Sequence, residues 1–233
     1  HCHKKALGTF TMSPVISFTI ATPGYFDLAY ECAARIRRYA GIECLILTSE
    51  DRQNGYALKF ELARLAGGRV FIFADSDYWM IRQMPMDQFI GVDGFCAVPD
   101  PAALHPTFCQ NDADVFGFPR DRYFNSGFFV ANSSDSRVIR AFDRAGVILA
   151  EKRAGLHPSI QDTTEQSCFC KALHENQLPT QFLPQEFNTY LHAAQYGHVT
   201  TIPAKPYCIH AAGVPLAQKH ETLRRQCAVF EAL

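Results

Sequence analysis

The stretch Val70-Phe71-Ile72-Phe73-Ala74-Asp75-Ser76-Asp77-Tyr78 constrains this chain more than any other. An apolar run rich in β-branched and aromatic residues follows Gly67-Gly68, the pattern of a central strand. Open α/β sheets hold their ligands at the C-terminal ends of such strands, so Asp75 and Asp77 stand at a mouth. Continued alternation past the strand end would point both carboxylates to one side, because residues two apart in an extended segment share a face. Two carboxylates held close together repel, and a hard divalent cation, Mg²⁺ or Mn²⁺, relieves that repulsion while leaving positions open for phosphate oxygens.

Strands and helices alternate around this stretch. Val15 to Ala21 predicts a first strand, running into Thr22-Pro23-Gly24-Tyr25, which is either a nucleotide pocket carrying hydroxyls and an aromatic ring or a plain strand-to-helix turn. Helical spacing follows over Leu28 to Tyr39, then a strand over Glu43 to Thr48, a helix over Ala57 to Ala66 closed by Gly67-Gly68, and the strand Val70 to Ala74. The order β-α-β-α-β predicts right-handed crossovers and an α/β fold, a Rossmann-like, mixed but mainly parallel sheet flanked by helices. Neither Gly-x-Gly-x-x-Gly nor Gly-x-x-x-x-Gly-Lys-[Ser/Thr] is present, so phosphates must be held another way, and an Asp pair with a metal supplies one.

Downstream come a short segment around Met86 to Ile90, a strand over Gly94 to Pro99 and a loop-rich region from Asp100 to Asp121. There Asp112-x-Asp114 repeats the Asp spacing without an apolar strand leading into it, and reads as a solvated turn. Tyr123 to Asn132 is the second informative stretch: Asn125-Ser126-Gly127 leads into an apolar strand, offering amide, hydroxyl and close backbone approach to a polyhydroxyl ligand. A helix over Asp135 to Arg153 follows, and Asp162-Thr163-Thr164-Glu165 opens another in the pattern of a capping box, a duty Gln166 does not share. The chain is irregular from Leu178-Pro179 to Asn188. His210, beside small residues, is either structural or ligating, and Leu216 to Leu233 forms a final amphipathic helix.

At 233 residues and 48% hydrophobic, the chain is expected to form a single domain over 12–233. Lys plus Arg number 22 against 23 for Asp plus Glu, leaving no basic block for a nucleic-acid partner. The nine cysteines are an odd number without a Cys-x-x-Cys pair, the usage of buried reduced thiols and hence of a cytoplasmic protein. No apolar run approaches the roughly 18 residues of a membrane helix. His1-Cys2-His3-Lys4-Lys5 resembles a metal cluster but precedes Met12-Ser13-Pro14, so residues 1–11 are expected to be a cloning or upstream remnant.

In chain order, Phe73-Ala74-Asp75-Ser76-Asp77, Phe124-Asn125-Ser126-Gly127 with its apolar strand, Glu165-Gln166, Leu183-Pro184-Gln185-Glu186-Phe187-Asn188 and His210-Ala211-Ala212-Gly213 resemble the motifs of GT-A-fold glycosyltransferases. The likeness is greatest to the retaining, glycogenin-like and bacterial galactosyltransferase-like family, and it spans about Val15 to Gly213. It implies a metal-dependent hexosyltransferase that moves a sugar from a nucleotide-sugar donor, UDP-linked, to a glycan or other hydroxyl acceptor. On that resemblance Asp75 and Asp77 hold Mn²⁺ or Mg²⁺ on the diphosphate, with His210 as third ligand. Thr22 and Tyr25 meet the nucleoside, and Gly213 belongs to the nucleotide-sugar site. Lys59 is a donor contact or else a solvated helix lysine. Asn125 and Ser126 touch the donor sugar, and Gln166 lies near the anomeric carbon.

Two features depart from the family pattern. Glu165-Gln166 stands where Asp-Gln is usual, and a Lys-Pro-Trp expected after His-x-x-Gly is missing, with Lys219 too far along to take its part. Retention would let the acceptor hydroxyl attack from the leaving-group face with the diphosphate taking the proton; inversion would require a carboxylate base, Asp162 or Glu165. The alternatives are a haloacid-dehalogenase-like, Mg²⁺-dependent phosphohydrolase, with Tyr78 where that family carries Thr or Val, and a non-catalytic sugar-binding module.

Overall fold

The computed structural model describes residues 14–100, 110–157, 165–191 and 203–232. β1 (Val15–Ala21), β2 (Cys44–Thr48) and β3 (Val70–Ala74) alternate with α1 (Phe26–Ala40) and α2 (Arg52–Leu65), as the apolar spacing predicts. They join β5 (Phe95–Pro99), β6 (Phe124–Asn132) and β7 (Thr180–Phe182) in a six-stranded sheet of order β2-β1-β3-β6-β5-β7. β1 pairs parallel with β2 and β3, and β5 parallel with β7, whereas β6 runs antiparallel to both of its neighbours. The result is the mixed, mainly parallel sheet expected.

β6 holds the two halves of the sheet together, and both of its faces are buried. Alternate residues face opposite sides of a strand: Phe129 and Ala131 join one core with Phe71 and Phe73, while Phe128 and Val130 join the other with Ile72 and Ala74. The first core also takes up Phe142 of α5 (Ser136–Arg153) and Phe169 of α6 (Gln166–Glu175); the second takes up Ile36 of α1 and Leu223 of α7 (Leu216–Glu231). Phe129 is central to the first. Its ring centroid lies 5.1 Å from that of Phe73, 5.3 Å from Phe95, 5.5 Å from Phe169 and 5.8 Å from Phe142.

Three departures from the expected elements have local causes. α2 begins at Arg52 rather than Ala57, because the Asp51 carboxylate accepts from Asn54 N–H at 2.7 Å and caps a polar first turn that hides the periodicity. Gly55 in that turn packs so closely on Thr22 that a Cβ would lie 2.7 Å from Thr22 Cγ2. The loop-rich region contains a helix, α4 (Gln110–Phe116); Asp112 is buried on it and Asp114 pairs with Arg120 at 2.9 Å, so this Asp-x-Asp is not a solvated turn. A second sheet, of order β4-β9-β8, is built from β4 (Tyr78–Met80), β8 (Thr189–Tyr190) and β9 (Cys208–His210), strands too short to read from pattern alone. The remaining short helix, α3 (Asp87–Ile90), matches its expected place.

The seven described cysteines are buried and unbridged. Among the described residues no helix is long and apolar enough to cross a membrane. Residues 1–13, including His1-Cys2-His3, lie outside the described residues, as does Asp162. Replacing Phe129 by Ala removes a ring packed on five others and is expected to destabilise the fold by about 3–5 kcal/mol in chemical denaturation. A loss under about 1 kcal/mol would contradict the central place given to this side chain.

Candidate metal and nucleotide site

The two aspartates converge by a turn rather than by continued strand alternation. Tyr78 N–H donates to Asp75 O at 2.9 Å, closing Asp75-Ser76-Asp77-Tyr78 on itself, while Asp75 N–H donates to Gly127 O at 2.8 Å and carries the β3–β6 ladder one step past the strand. β4 starts immediately after the turn and pairs antiparallel with β9, with Tyr78 opposite His210. Ala211 N–H then donates to Asp77 O at 3.0 Å. This register sets the imidazole against the turn, with His210 Nε2 3.4 Å from Asp77 Oδ1 and 3.9 Å from Asp75 Oδ2. One potential ligand atom from each of Asp75, Asp77 and His210 falls within 4.8 Å of the others.

Gly127 makes room for this arrangement. A methyl group there would overlap His210 Cε1 and sit 2.8 Å from Asn125 Oδ1 and 2.9 Å from Asp75 Oδ2. The glycine of the Asn-Ser-Gly motif is thus needed for the approach of His210.

The polar residues beside it face inward. Asn125 Nδ2 donates to Gln166 Oε1 at 3.0 Å and to Asp100 Oδ2 at 3.4 Å, and its Oδ1 accepts from Gly127 N–H at 2.9 Å and Asn188 Nδ2 at 3.0 Å. An asparagine amide has two N–H donors and two acceptor lone pairs, so all four are engaged. Ser126 gives its hydroxyl to Glu165 at 2.8 Å and its N–H to Gln166 Oε1 at 3.0 Å. Both residues expected to meet a sugar are committed to protein partners.

Charge at the site is nearly balanced within the protein. Lys59, only 4% exposed, bonds Glu165, approaches Asp75 Oδ1 to 3.0 Å and donates to Ser126 O at 3.4 Å, so it is not a solvated helix lysine. Burial opposes its charge, but the Asp75 and Glu165 carboxylates outweigh burial and raise its pKa. Glu165 is 1% exposed and directly precedes α6 with no capping bond from its side chain, so it is not the third residue of a capping box. Lys219, set aside on sequence spacing, reaches Asp77 Oδ2 from α7 and also donates to Ala211 O at 2.7 Å. Burial acts against the Asp77 charge, yet His210 and Lys219 together hold that carboxyl well below the ordinary range. Asp75 moves the other way: burial raises it, the Asp77 charge adds to the effect, and Lys59 only partly opposes them.

Two ammonium groups therefore face three carboxylates, those of Asp75, Asp77 and Glu165. The excess negative charge, the half-buried Asp75 and the converging imidazole nitrogen fit a divalent cation bound by oxygen and nitrogen ligands.

Beside this cluster opens a groove of about 620 Å³, lined by Thr22, Tyr25, Arg52, Gly213, Leu216 and Lys219 among others. The first-loop residues and Gly213 thus share one wall system, and Lys219 joins it to Asp77.

No family model matches the chain, and no curated protein does. Solved structures do. The apo bifunctional glycosyltransferase WbbM aligns with a TM-score of 0.62 at 13% identity, over 94% of this chain and 52% of that one, so the chain spans about half of WbbM. The galactosyltransferase LgtC, in complex with donor and acceptor sugar analogues, aligns at 0.59 and 11% identity over 91% of this chain and 95% of LgtC. A glycosyltransferase involved in glycosylation of the PBCV-1 major capsid aligns at 0.56 and 14% identity over 91% and 98%. The chain has the GT-A glycosyltransferase fold. The phosphohydrolase alternative finds no support among these structures.

Sequence reading grouped Asp75, Asp77 and His210 as ligands and placed Thr22, Tyr25, Lys59, Asn125, Ser126 and Gly213 at a nucleotide-sugar site; the structure draws the first three together and sets Thr22, Tyr25 and Gly213 on one groove, whose lining does not include Lys59, Asn125 or Ser126. It assigned nothing to Asp100 or Asn188, both buried and bonded to the Asn125–Gln166 pair. Asp100 follows β5 without a motif of its own, and a strand end followed by an acid was the available signal.

The Asp77–Lys219 pair makes the site testable without metal. Asp77→Asn leaves a buried ammonium without its counter-charge and is expected to cost about 3 kcal/mol, most of it recovered in the double variant with Lys219→Met. Because the Asp77 pKa is depressed in the folded state, its stabilisation is fully present above the ordinary carboxylate range of about 4 and is lost as pH falls below it. The gap between wild type and Asp77→Asn in urea denaturation should therefore be full at neutral pH and narrow in acid. A gap independent of both pH and Lys219 would contradict the pairing.

Proposed function

We propose that this chain is a metal-dependent glycosyltransferase that moves a sugar from a UDP-linked donor to the hydroxyl of a glycan or other acceptor. The observation that carries the reading is the convergence of Asp75, Asp77 and His210 at the mouth of a GT-A fold, beside a groove that Lys219 shares. Asp75, Asp77 and His210 would hold the cation, and the imidazole favours Mn²⁺ over Mg²⁺. When bound, such an ion stabilises the charge that grows on a departing diphosphate. Thr22 and Tyr25 would receive the nucleoside. Lys219, already seated between the groove and Asp77, would add a second positive charge beside the diphosphate, while Lys59 holds Asp75 and Glu165 in position.

Retention of anomeric configuration is the stereochemical course we favour. An inverting reaction needs a carboxylate free to take the acceptor's proton, and Glu165 is buried and bound by Lys59 and Ser126. In the retaining course the acceptor hydroxyl approaches on the leaving-group side, and the departing diphosphate oxygen accepts its proton.

A thermal-shift comparison of UDP and UDP-sugars with and without Mn²⁺ tests ligand and metal together, since a ligand that binds only the native state raises its apparent stability. A rise with UDP that requires Mn²⁺ is expected, together with transfer that falls by about two orders of magnitude or more in Asp75→Asn. Transfer unchanged in EDTA would overturn the metal role. Glu165→Gln is expected to yield product of the same, retained configuration by NMR, and inverted product from the wild type would restore the base reading.

A further inference from the structure

We infer that Asn188 is a positioning residue that fixes the tautomer of His210, at the end of an amide chain whose direction the backbone dictates. The inference rests on the reading of Asp75, Asp77 and His210 as a cation site. The chain runs His210, Asn188, Asn125, Gln166, Asp100, and each of these residues is buried.

Two backbone amides orient it. A backbone N–H can only donate, so the Gln166 atom that Ser126 N–H meets at 3.0 Å must be the carbonyl oxygen. The other end of Gln166 is then nitrogen, and it donates to Asp100 Oδ2 at 2.8 Å. Gly127 N–H fixes Asn125 in the same way, through its bond to Oδ1 at 2.9 Å. That oxygen also faces Asn188 at 3.0 Å, so Asn188 must present its nitrogen there and its oxygen to His210 Nδ1 at 3.0 Å. Only an N–H satisfies that contact. When the imidazole is neutral, His210 therefore keeps its proton on Nδ1 and turns the lone pair of Nε2 toward Asp75 and Asp77.

The competing tautomer has an attraction of its own. A proton on Nε2 would point at Asp77 Oδ1, 3.4 Å away, and would block the nitrogen as a ligand. It would also leave two acceptors, Nδ1 and Asn188 Oδ1, facing each other in a buried place, a loss that selects the ligating form.

Nitrogen-15 NMR of histidine-labelled, metal-free protein reads the tautomer directly, at about pH 9, where an ordinary imidazole is neutral. The wild type is expected to show Nδ1–H for His210, and Nε2–H would overturn the assignment. Asn188→Leu removes the acceptor and is expected to move the proton to Nε2 and to weaken Mn²⁺ binding in the presence of UDP by about 10–100-fold, followed by electron paramagnetic resonance. Asn188→Asp keeps an acceptor for Nδ1 while losing the donor to Asn125 Oδ1, and should retain Nδ1–H even where the fold is less stable. An Asn188→Leu protein with both Nδ1–H and wild-type affinity would overturn the inference. A wild type that binds no Mn²⁺ would instead count against the cation site, and the metal-free tautomer would still decide the role of Asn188.

Discussion

Charge compensation among buried groups is the constraint on which the rest of this site depends. Three carboxylates meet at the end of a buried sheet, and such groups are tolerated only when partnered. Lys59 reaches across from α2 to Asp75 and Glu165, and Lys219 comes from α7 to Asp77. The two lysines fall one charge short. That shortfall, with the His210 imidazole 3.4 Å from Asp77 and 3.9 Å from Asp75, leaves a group that could hold a metal ion.

Topology brings these groups together at little cost in loop length around the Asp turn. β6 lies against β3 on one side and β5 on the other, so a single strand sets Asn125, Ser126 and Gly127 between Asp75 and Asp100. β4 follows the Asp turn directly and gives β9 a place to pair, which delivers His210 from far along the chain in a fixed register. Parallel pairing of β9 with β8, which begins immediately after Asn188, adds Tyr190 opposite His210. Every functional side chain except the lysines is thus within a residue or two of a strand end or a helix start, positions set by backbone hydrogen bonds rather than by side-chain packing.

What the sequence made legible follows the range of the interactions. β1, β3 and β6 stand out because their apolar runs are local, and Asp75-x-Asp77 stands out because it closes such a run. α4 was hidden by prolines and polar residues around a short helix, and β4 by its three-residue length. Lys219 could not be read from spacing: helix α7 rather than a local motif carries it to Asp77. Glu165 was read either as a cap, because its neighbours have capping spacing, or as a carboxylate base, whereas its carboxylate is drawn to a lysine distant in sequence. Asn125 was read as facing a ligand, and only the structure shows its four bonding positions filled.

The most direct test of the account is anomalous diffraction at the manganese edge from crystals grown with Mn²⁺ and UDP. The account predicts one strong peak bounded by Asp75, Asp77 and His210, with nucleotide density leading from it into the groove lined by Thr22, Tyr25 and Gly213. Nucleotide density in that groove without a peak among the three residues, or a peak held by other side chains, would contradict it.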